Sequence, residues 1–214
     1  MTKLSKRLAS LIPFFKGEDN VVDVGCDHGY LSIYLKNNCL VNSVIASDVN
    51  ENALSVAKAN IKEADLNIPT VISDGISNVD LTNVNCIVMS GMGTATVLHI
   101  LEDSSKLKHI NKIIVQSNNN HDILRKQMNK KGYYLSEEVA VYDRGKWYLS
   151  MLFIKSSKKN SDLEIEYGLL NDKDYIRFLV DKYTRINNRI PDLEDREENN
   201  KKIYHLKEIL REKS

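Results

Sequence analysis

The stretch YYLSEEVAVYDRGKWYLSMLFIK, residues 133–155, decides the fold. Tyr133–Tyr142 and Trp147–Lys155 are two strand-like runs rich in β-branched and aromatic residues, with only Asp143-Arg144-Gly145-Lys146 between them. A Gly-containing loop this short closes an antiparallel hairpin, because a parallel crossover needs about a dozen residues or more. Upstream the pattern differs. Val21–Val24, Val44–Ser47, Val71-Ile72, Cys86–Met89 and Ile113–Val115 are short apolar runs. Between them lie stretches with helical apolar spacing: one from Tyr30, one capped by Asn50 and ending near Ala64, one opening at Gly91–Gly93, and one ending near Lys131-Gly132. Strands alternating with helices predict βαβ units. The expected fold is α/β: a Rossmann-like, doubly wound, seven-stranded sheet that ends in an antiparallel hairpin.

Downstream of Lys155 the composition shifts. Ser156–Ser161 carries no apolar residue and reads as a linker. Tyr175, Leu179, Tyr183, Ile186 and Ile190 then recur at helical spacing, and Ile203, Leu206 and Leu210 follow beyond Pro191-Asp192. Two amphipathic helices at a Pro-marked turn predict a small α-helical, coiled-coil-like domain. The expected domains are therefore 1–156 and 157–214. The tail serves either as a stabilising arm or as a macromolecular clamp. Charge does not choose, since residues from Ser157 onward include 13 basic and 13 acidic side chains.

Composition narrows the function classes. The 214 residues include 30 Lys+Arg and 29 Asp+Glu, a net charge of +1, which excludes a globally basic nucleic-acid coat. A local patch is still available: Met1–Lys16 holds Lys3, Lys6, Arg7 and Lys16 and no acid. No apolar run reaches the roughly 18 residues of a membrane span. The amino-terminal stretch lacks a secretory pattern. Three widely spaced cysteines and five histidines without metal spacing argue against a disulfide scaffold or a metal site. The expected state is a cytoplasmic monomer with no membrane or metal partner.

Five loops carry the candidate chemistry. Asp23-Val24-Gly25-Cys26-Asp27-His28-Gly29 joins the first strand to a helix. Gly25 permits a tight turn and Gly29 a close backbone approach at a helix N-terminus. Asp27 stands where dinucleotide-binding loops often have a second glycine. Its carboxylate repels a pyrophosphate and attracts a sulfonium with its adjacent ammonium, which favours S-adenosylmethionine over NAD. Cys26 is expected to contribute its backbone to the ligand. Asp48, 25 residues after Asp23, can accept from two ribose hydroxyls, with Val49 beside it. Asp74-Gly75 can take an adenine amine. Ser90-Gly91-Met92-Gly93 forms a thin wall after the fourth strand. Gln116-Ser117-Asn118-Asn119 offers amides to a base or phosphate. Each has a plain structural reading: a strand–helix turn, an exposed turn carboxylate, a common turn dipeptide, a polar capping loop. An NAD-linked oxidoreductase, a catalytically silent RNA adaptor and a methyltransferase with a small-molecule or protein substrate all stay open on the residues alone. The closing hairpin disfavours the first.

Leu4-Ser5-Lys6-Arg7-Leu8, D-V-G-C-D-H-G-Y-L at Asp23–Leu31, S-G-M-G at Ser90–Gly93 and Q-S-N-N at Gln116–Asn119 together resemble the bacterial tRNA (adenine-22-N1)-methyltransferases over the whole chain. That family commonly has glycine at the place of Thr94 and proline at the place of Ser117, so the two loops differ in detail. The resemblance implies methyl transfer from S-adenosyl-L-methionine to N1 of adenine 22 of tRNA, leaving S-adenosyl-L-homocysteine. It implies cofactor contacts from Asp23, Gly25, Cys26, Gly29, Asp48, Val49, Asp74, Gly75, Ser90 and Gly91. Asp27 becomes the candidate catalytic residue, or else a holder of the cofactor ammonium. Lys3, Lys6 and Arg7 are candidates for phosphates. Tyr30 and Met92 are candidates for stacking on a flipped base, with Asn118 and Asn119 beside it. The absence of an Asn/Asp-Pro-Pro-aromatic motif after the fourth strand disfavours methylation of N6.

Overall fold

In a computed structural model describing residues 4–213, the apolar runs form the strands that their β-branched residues favour. They are Asn20–Val24 (β1), Ser43–Asp48 (β2), Thr70–Ile72 (β3), Cys86–Met92 (β4), Lys112–Ser117 (β5), Tyr133–Asp143 (β6) and Lys146–Lys155 (β7). The sheet order is β3-β2-β1-β4-β5-β7-β6. Its first five members are parallel, and β7 pairs antiparallel with both β5 and β6. From Val21 onward β1 is buried continuously rather than at alternate positions, as expected for a strand covered on both faces, and the burial takes in the carboxylate of Asp23.

The helices of this unit are Lys6–Ala9 (α1), Tyr30–Asn37 (α2), Glu51–Glu63 (α3), Thr94–Ile100 (α4), His121–Lys130 (α5) and Asp162–Tyr167 (α6). Asn50 caps α3 by accepting from the Asn52 and Ala53 N–H groups, as its residue type predicts. The amino-terminal segment is more than a charged arm. Leu11 and Phe14 are fully buried and join Val21, Leu35, Ala46 and Ile114 in the core. Burying each such large side chain contributes about 1.5–3 kcal/mol. Lys112 Nζ secures the segment from below, pairing with Asp19 Oδ2 at 2.6 Å and donating to the Phe14 carbonyl at 3.3 Å.

The polar stretch after β7 is not a free linker. The buried Asn160 side chain pairs with the Leu135 backbone in both directions, accepting its N–H at 2.8 Å and donating to its carbonyl at 3.1 Å. It acts as a strand surrogate where the β6–β7 register shifts between Leu135 and Glu137. Ser161 and Glu164 then form a capping box that starts α6. Two compact units divide between Leu169 and Leu170, so residues 157–169 belong to the first and not to the helical tail. The second unit holds Lys173–Asn187 (α7) and Leu193–Glu212 (α8). Asp192 caps α8 after Pro191, and Asn199 Nδ2 donates to the Tyr183 carbonyl at 2.8 Å to tie the two helices together. No helix among the described residues is long and apolar enough to cross a membrane.

Candidate active site

From β1 the chain winds to β2 and β3 on one side, while β4 leads to β5 on the other. The crevice outside the carboxyl ends of β1 and β4 is the topological switch point where such sheets bind ligands. A cavity of about 270 Å³ lies there, lined by Arg7, Asp23, Gly25, Cys26, Asp27, Tyr30, Ser90 and Gly91.

The loop after β1 alternates through left-handed backbone at Gly25 (φ 68°), Asp27 (φ 51°) and Gly29 (φ 74°). Asp27 thus adopts the conformation a second glycine would take, which Asp tolerates better than most residues. The Gly25 and Cys26 N–H groups both donate to the Ser47 carbonyl, at 2.8 and 3.0 Å. The Asp27 N–H donates to Asp48 Oδ2 at 2.9 Å, and the Asn50 N–H to Asp48 Oδ1 at 2.8 Å. Asp48 is therefore first a strut that ties the loop to the β2–α3 connection. Each of its oxygens keeps a lone pair for a hydroxyl donor. Cys26 has its N–H committed to Ser47, and burial, with the Asp23 and Asp48 charges, pushes its thiol well above the ordinary range. It is no nucleophile. Gly29 serves helix packing, since a Cβ there would sit 3.2 Å from the Ala57 Cβ of α3.

Asp23 is buried beneath the loop, and Ser32 Oγ donates to its Oδ2 at 2.7 Å. Burial pushes its carboxyl from 3.8 up to about 6, the Ser32 hydrogen bonds pull it back, and the Asp48 charge adds to the rise. A raised carboxyl pKa gives stability that is complete below about pH 4 and is lost as pH rises through 6. The shift corresponds to roughly 3 kcal/mol. Urea unfolding between pH 4 and 8 should show wild type losing about that much relative to Asp23→Asn, with the difference developing between pH 4 and 6. Parallel pH profiles for the two proteins would refute an uncompensated carboxylate at Asp23.

On the facing wall, Ser90 pairs with Gln116 and Met92 with Ser117, leaving Gly91 as a bulge at φ 80°. Asn118 Nδ2 donates to the Gly91 carbonyl at 2.7 Å. The glycines thus do not open the next helix as the sequence reading expected. Gly91 and Met92 stay in β4, and Gly93 precedes α4. A Cβ on Gly25 would strike Met92 Cε, so the two loops touch. Asn119 faces α4, accepting the Thr94 N–H on its Oδ1 at 3.0 Å and the Thr94 hydroxyl on its carbonyl at 2.6 Å. Thr94, where glycine was the common residue, uses its hydroxyl to make that bond.

Arg7 is bolted into the wall rather than held out on an arm. Its Nη1 donates to Ser90 Oγ at 3.0 Å and to Gln116 Oε1 at 2.9 Å. The buried Gln116 returns Nε2 to the Arg7 carbonyl and to Ser150 Oγ, each at 2.9 Å. Ser150 and Ser32 are supporting residues that local sequence patterns do not single out, and Gln116, read from the sequence as an amide for a base or phosphate, is instead buried in this network. Lys6 is exposed on α1 and outside the cavity lining. Lys3 lies outside the described residues. Val49 is 67% exposed beside Asp48. Asp74 lines a separate cavity of about 370 Å³ with His99 and Ile100, and Gly75 abuts Ile100. The structure does not bring that pair into the first cavity.

Residues 4–151 match the model of a methyltransferase domain family. A tRNA (adenine(22)-N(1))-methyltransferase of Bacillus subtilis is 31% identical over 149 residues, 68% of this chain and 63% of that protein. The match thus spans just under two thirds of that relative. A Mycoplasma genitalium protein assigned as a tRNA methyltransferase is 30% identical over 175 residues, 81% of this chain and 78% of that protein. The structure of M. capricolum TrmK in complex with the cofactor product S-adenosyl-homocysteine matches with a TM-score of 0.82 at 26% identity, over 98% of each chain.

Proposed function

The chain belongs to the methyltransferase domain family; from that premise we propose that it is a bacterial tRNA (adenine-22-N1)-methyltransferase, transferring the methyl group of S-adenosyl-L-methionine to N1 of adenine 22 of tRNA. The observation that carries the reading is the acidic glycine loop. Asp27 takes the left-handed position at the cavity wall, Asp48 holds it there, and Asp23 lies buried beneath. Such a wall repels a pyrophosphate and suits a cationic ligand. When bound, the cofactor supplies a methyl group on a positively charged sulfur.

The chain's own residues then have separable tasks. Asp48 accepts the ribose hydroxyls on its remaining lone pairs, with Val49 alongside. Asp74-Gly75 follows β3 at the same edge of the sheet but lines a separate cavity, so the adenine amine of the cofactor is left without an assigned acceptor. Gly25, Cys26 and Gly29 shape the cradle, and Ser90 and Gly91 form the opposite wall. Tyr30, 40% exposed at the cavity, and Met92 flank the target base. Asn118 and Asn119 keep the wall in place, and Arg7 and Lys6 offer charge to phosphates. N1 of neutral adenine carries a free lone pair, so placement and charge environment do most of the work. The exposed Asp27 carboxylate is assigned to balance the positive charge that methylation at N1 develops on the base, or else to hold the cofactor ammonium.

Asp27→Asn keeps a residue that tolerates the left-handed backbone and removes the charge. Its turnover should fall about 100-fold or more; an unchanged S-adenosylhomocysteine affinity assigns the loss to the target base, and a parallel loss of affinity assigns Asp27 to the cofactor ammonium. Wild-type turnover in this variant would remove Asp27 from the mechanism. The function itself is tested by incubating unmodified tRNA with labelled S-adenosylmethionine and mapping the product. We expect 1-methyladenosine at position 22; any other methylated nucleoside overturns the assignment.

A further inference from the structure

We propose that the tip of the β6–β7 hairpin is an RNA-gripping finger, with Arg144 and Lys146 on phosphates flanking the target adenine and Tyr142 stacked on a neighbouring unpaired base. This rests on the tRNA methyltransferase reading above and extends it to a surface that none of the assigned site residues occupies.

The first support is register. β5 ends at Ser117, opposite Leu149 of β7. Beyond that point β6 and β7 continue alone, pairing Val141 with Tyr148, Tyr142 with Trp147 and Asp143 with Lys146. Three further residue pairs carry this two-stranded ribbon roughly 10 Å past the carboxyl edge of the sheet, on the side of the cavity.

The second is position. The Arg7 N–H donates to Asp143 Oδ2 at 3.1 Å, and the Arg7 guanidinium lies 5.8 Å from the centroid of the Tyr148 ring. Arg7 also lines the cavity. The finger therefore stands one side chain from the cavity, and the Asp143 carboxylate accepts the Arg7 amide N–H.

The third is chemistry. Tyr142 is 54% exposed, its ring 5.4 Å from that of Trp147, and Arg144 and Lys146 are exposed beside it. Aromatic faces interleaved with cations suit unstacked RNA, where bases stack and phosphates follow the charge. The fourth is strain. The two turn residues, Arg144 and Gly145, both have positive φ, at 48° and 82°. Such turns favour Asn-Gly, Asp-Gly or Gly-Gly. A bulky Arg in the left-handed position is a folding liability, which points to a role outside folding.

The test uses the full chain carrying R144G together with K146Q, and separately Y142A. Glycine suits the left-handed position, so the double variant should melt at or above the wild-type temperature and bind S-adenosylhomocysteine within twofold of wild type. Its KM for tRNA should rise about tenfold or more. The slope of log affinity against log salt should become shallower by about 1.5, the signature of two lost phosphate contacts. Y142A should raise KM and leave the slope alone. An unchanged KM and slope in the double variant, with wild type methylating tRNA normally, overturns the finger alone and leaves the tip to a protein partner. Loss of S-adenosylhomocysteine binding in the double variant also overturns it, by making the tip a structural element. A wild type that binds S-adenosylhomocysteine yet methylates no tRNA overturns the functional reading and the finger with it.

Discussion

Asp48→Ala should lose S-adenosylhomocysteine affinity by about 100-fold or more, the largest loss of cofactor affinity expected from one side chain here. The expectation combines two losses. The ribose loses its carboxylate acceptor, and the Asp27 and Asn50 N–H groups lose the acceptors they reach at 2.9 and 2.8 Å. A hydrogen bond to a charged group contributes about 1.5–3 kcal/mol, and about 1.4 kcal/mol is tenfold in affinity, so losing the bonds from the two ribose hydroxyls suffices. The free loop also changes. Without the strut, Asp27 loses the acceptor of its backbone N–H, so binding must order part of a cradle that the wild type presents ready-made. Asp48→Asn keeps one oxygen acceptor and should fall between, near tenfold. Calorimetric titration with S-adenosylhomocysteine measures both variants, and amide exchange at Asp27 reports the strut separately. An Asp48→Ala protein binding within threefold of wild type would reduce Asp48 to an ordinary turn residue.

What the amino-acid sequence reveals about this protein depends on how far apart the interacting residues lie. The hairpin, the strand–helix alternation and the Asn50 cap are local and read directly, because a short Gly-containing loop and an N-cap are decided by neighbours. The glycine loop is also legible: Asp27 occupies the left-handed position its spacing implied. The Arg7 network is not, because Arg7 meets Ser90 and Gln116 across 83 and 109 residues. A basic residue in a charged stretch looks like a free arm until its partners are placed. The same stretch carries Leu11 and Phe14, whose burial depends on the core they enter rather than on any period of their own. The Gly91 bulge is hidden for a related reason, since it needs the Asn118 side chain from the next loop. The Ser161-x-x-Glu164 capping box, by contrast, is a local signal, and it marks α6 inside what composition alone presents as a linker and tail. The Asn160–Leu135 pairing beside it answers a register shift that no spacing records.

Glu138→Ala should be the most destabilising single substitution, costing about 3–5 kcal/mol, the usual result of leaving one member of a buried ion pair alone. Arg125 and Glu138 are 2% and 4% exposed and meet at 2.6 Å. Glu138 Oε2 also accepts the Leu169 N–H at 2.9 Å, and Arg125 Nη1 reaches the Ile165 and Glu166 carbonyls at 3.3 Å. The pair therefore fastens the segment after the sheet to α5 and β6, and truncation strands a guanidinium whose Nε already lacks a partner. Against a total stability of about 5–15 kcal/mol, such a loss is a large fraction. Gly168 probes the same joint by a different route. Its φ is 79°, and a Cβ there would run into Glu138 Oε2 and Arg125 Nη2. Gly168→Ala should thus be severe in the wild type and markedly milder when Glu138 is already Ala, because the obstructing carboxylate is gone and neighbouring effects do not add. Replacing both charges, as Arg125→Met with Glu138→Leu, should recover most of the loss, since apolar side chains of similar volume remove the desolvation penalty along with the attraction. Urea unfolding of the four variants decides the matter. Strict additivity of Gly168→Ala and Glu138→Ala would show that the collision is not what makes the glycine necessary, and a loss below about 1 kcal/mol for Glu138→Ala would place it in the range of ordinary surface pairs.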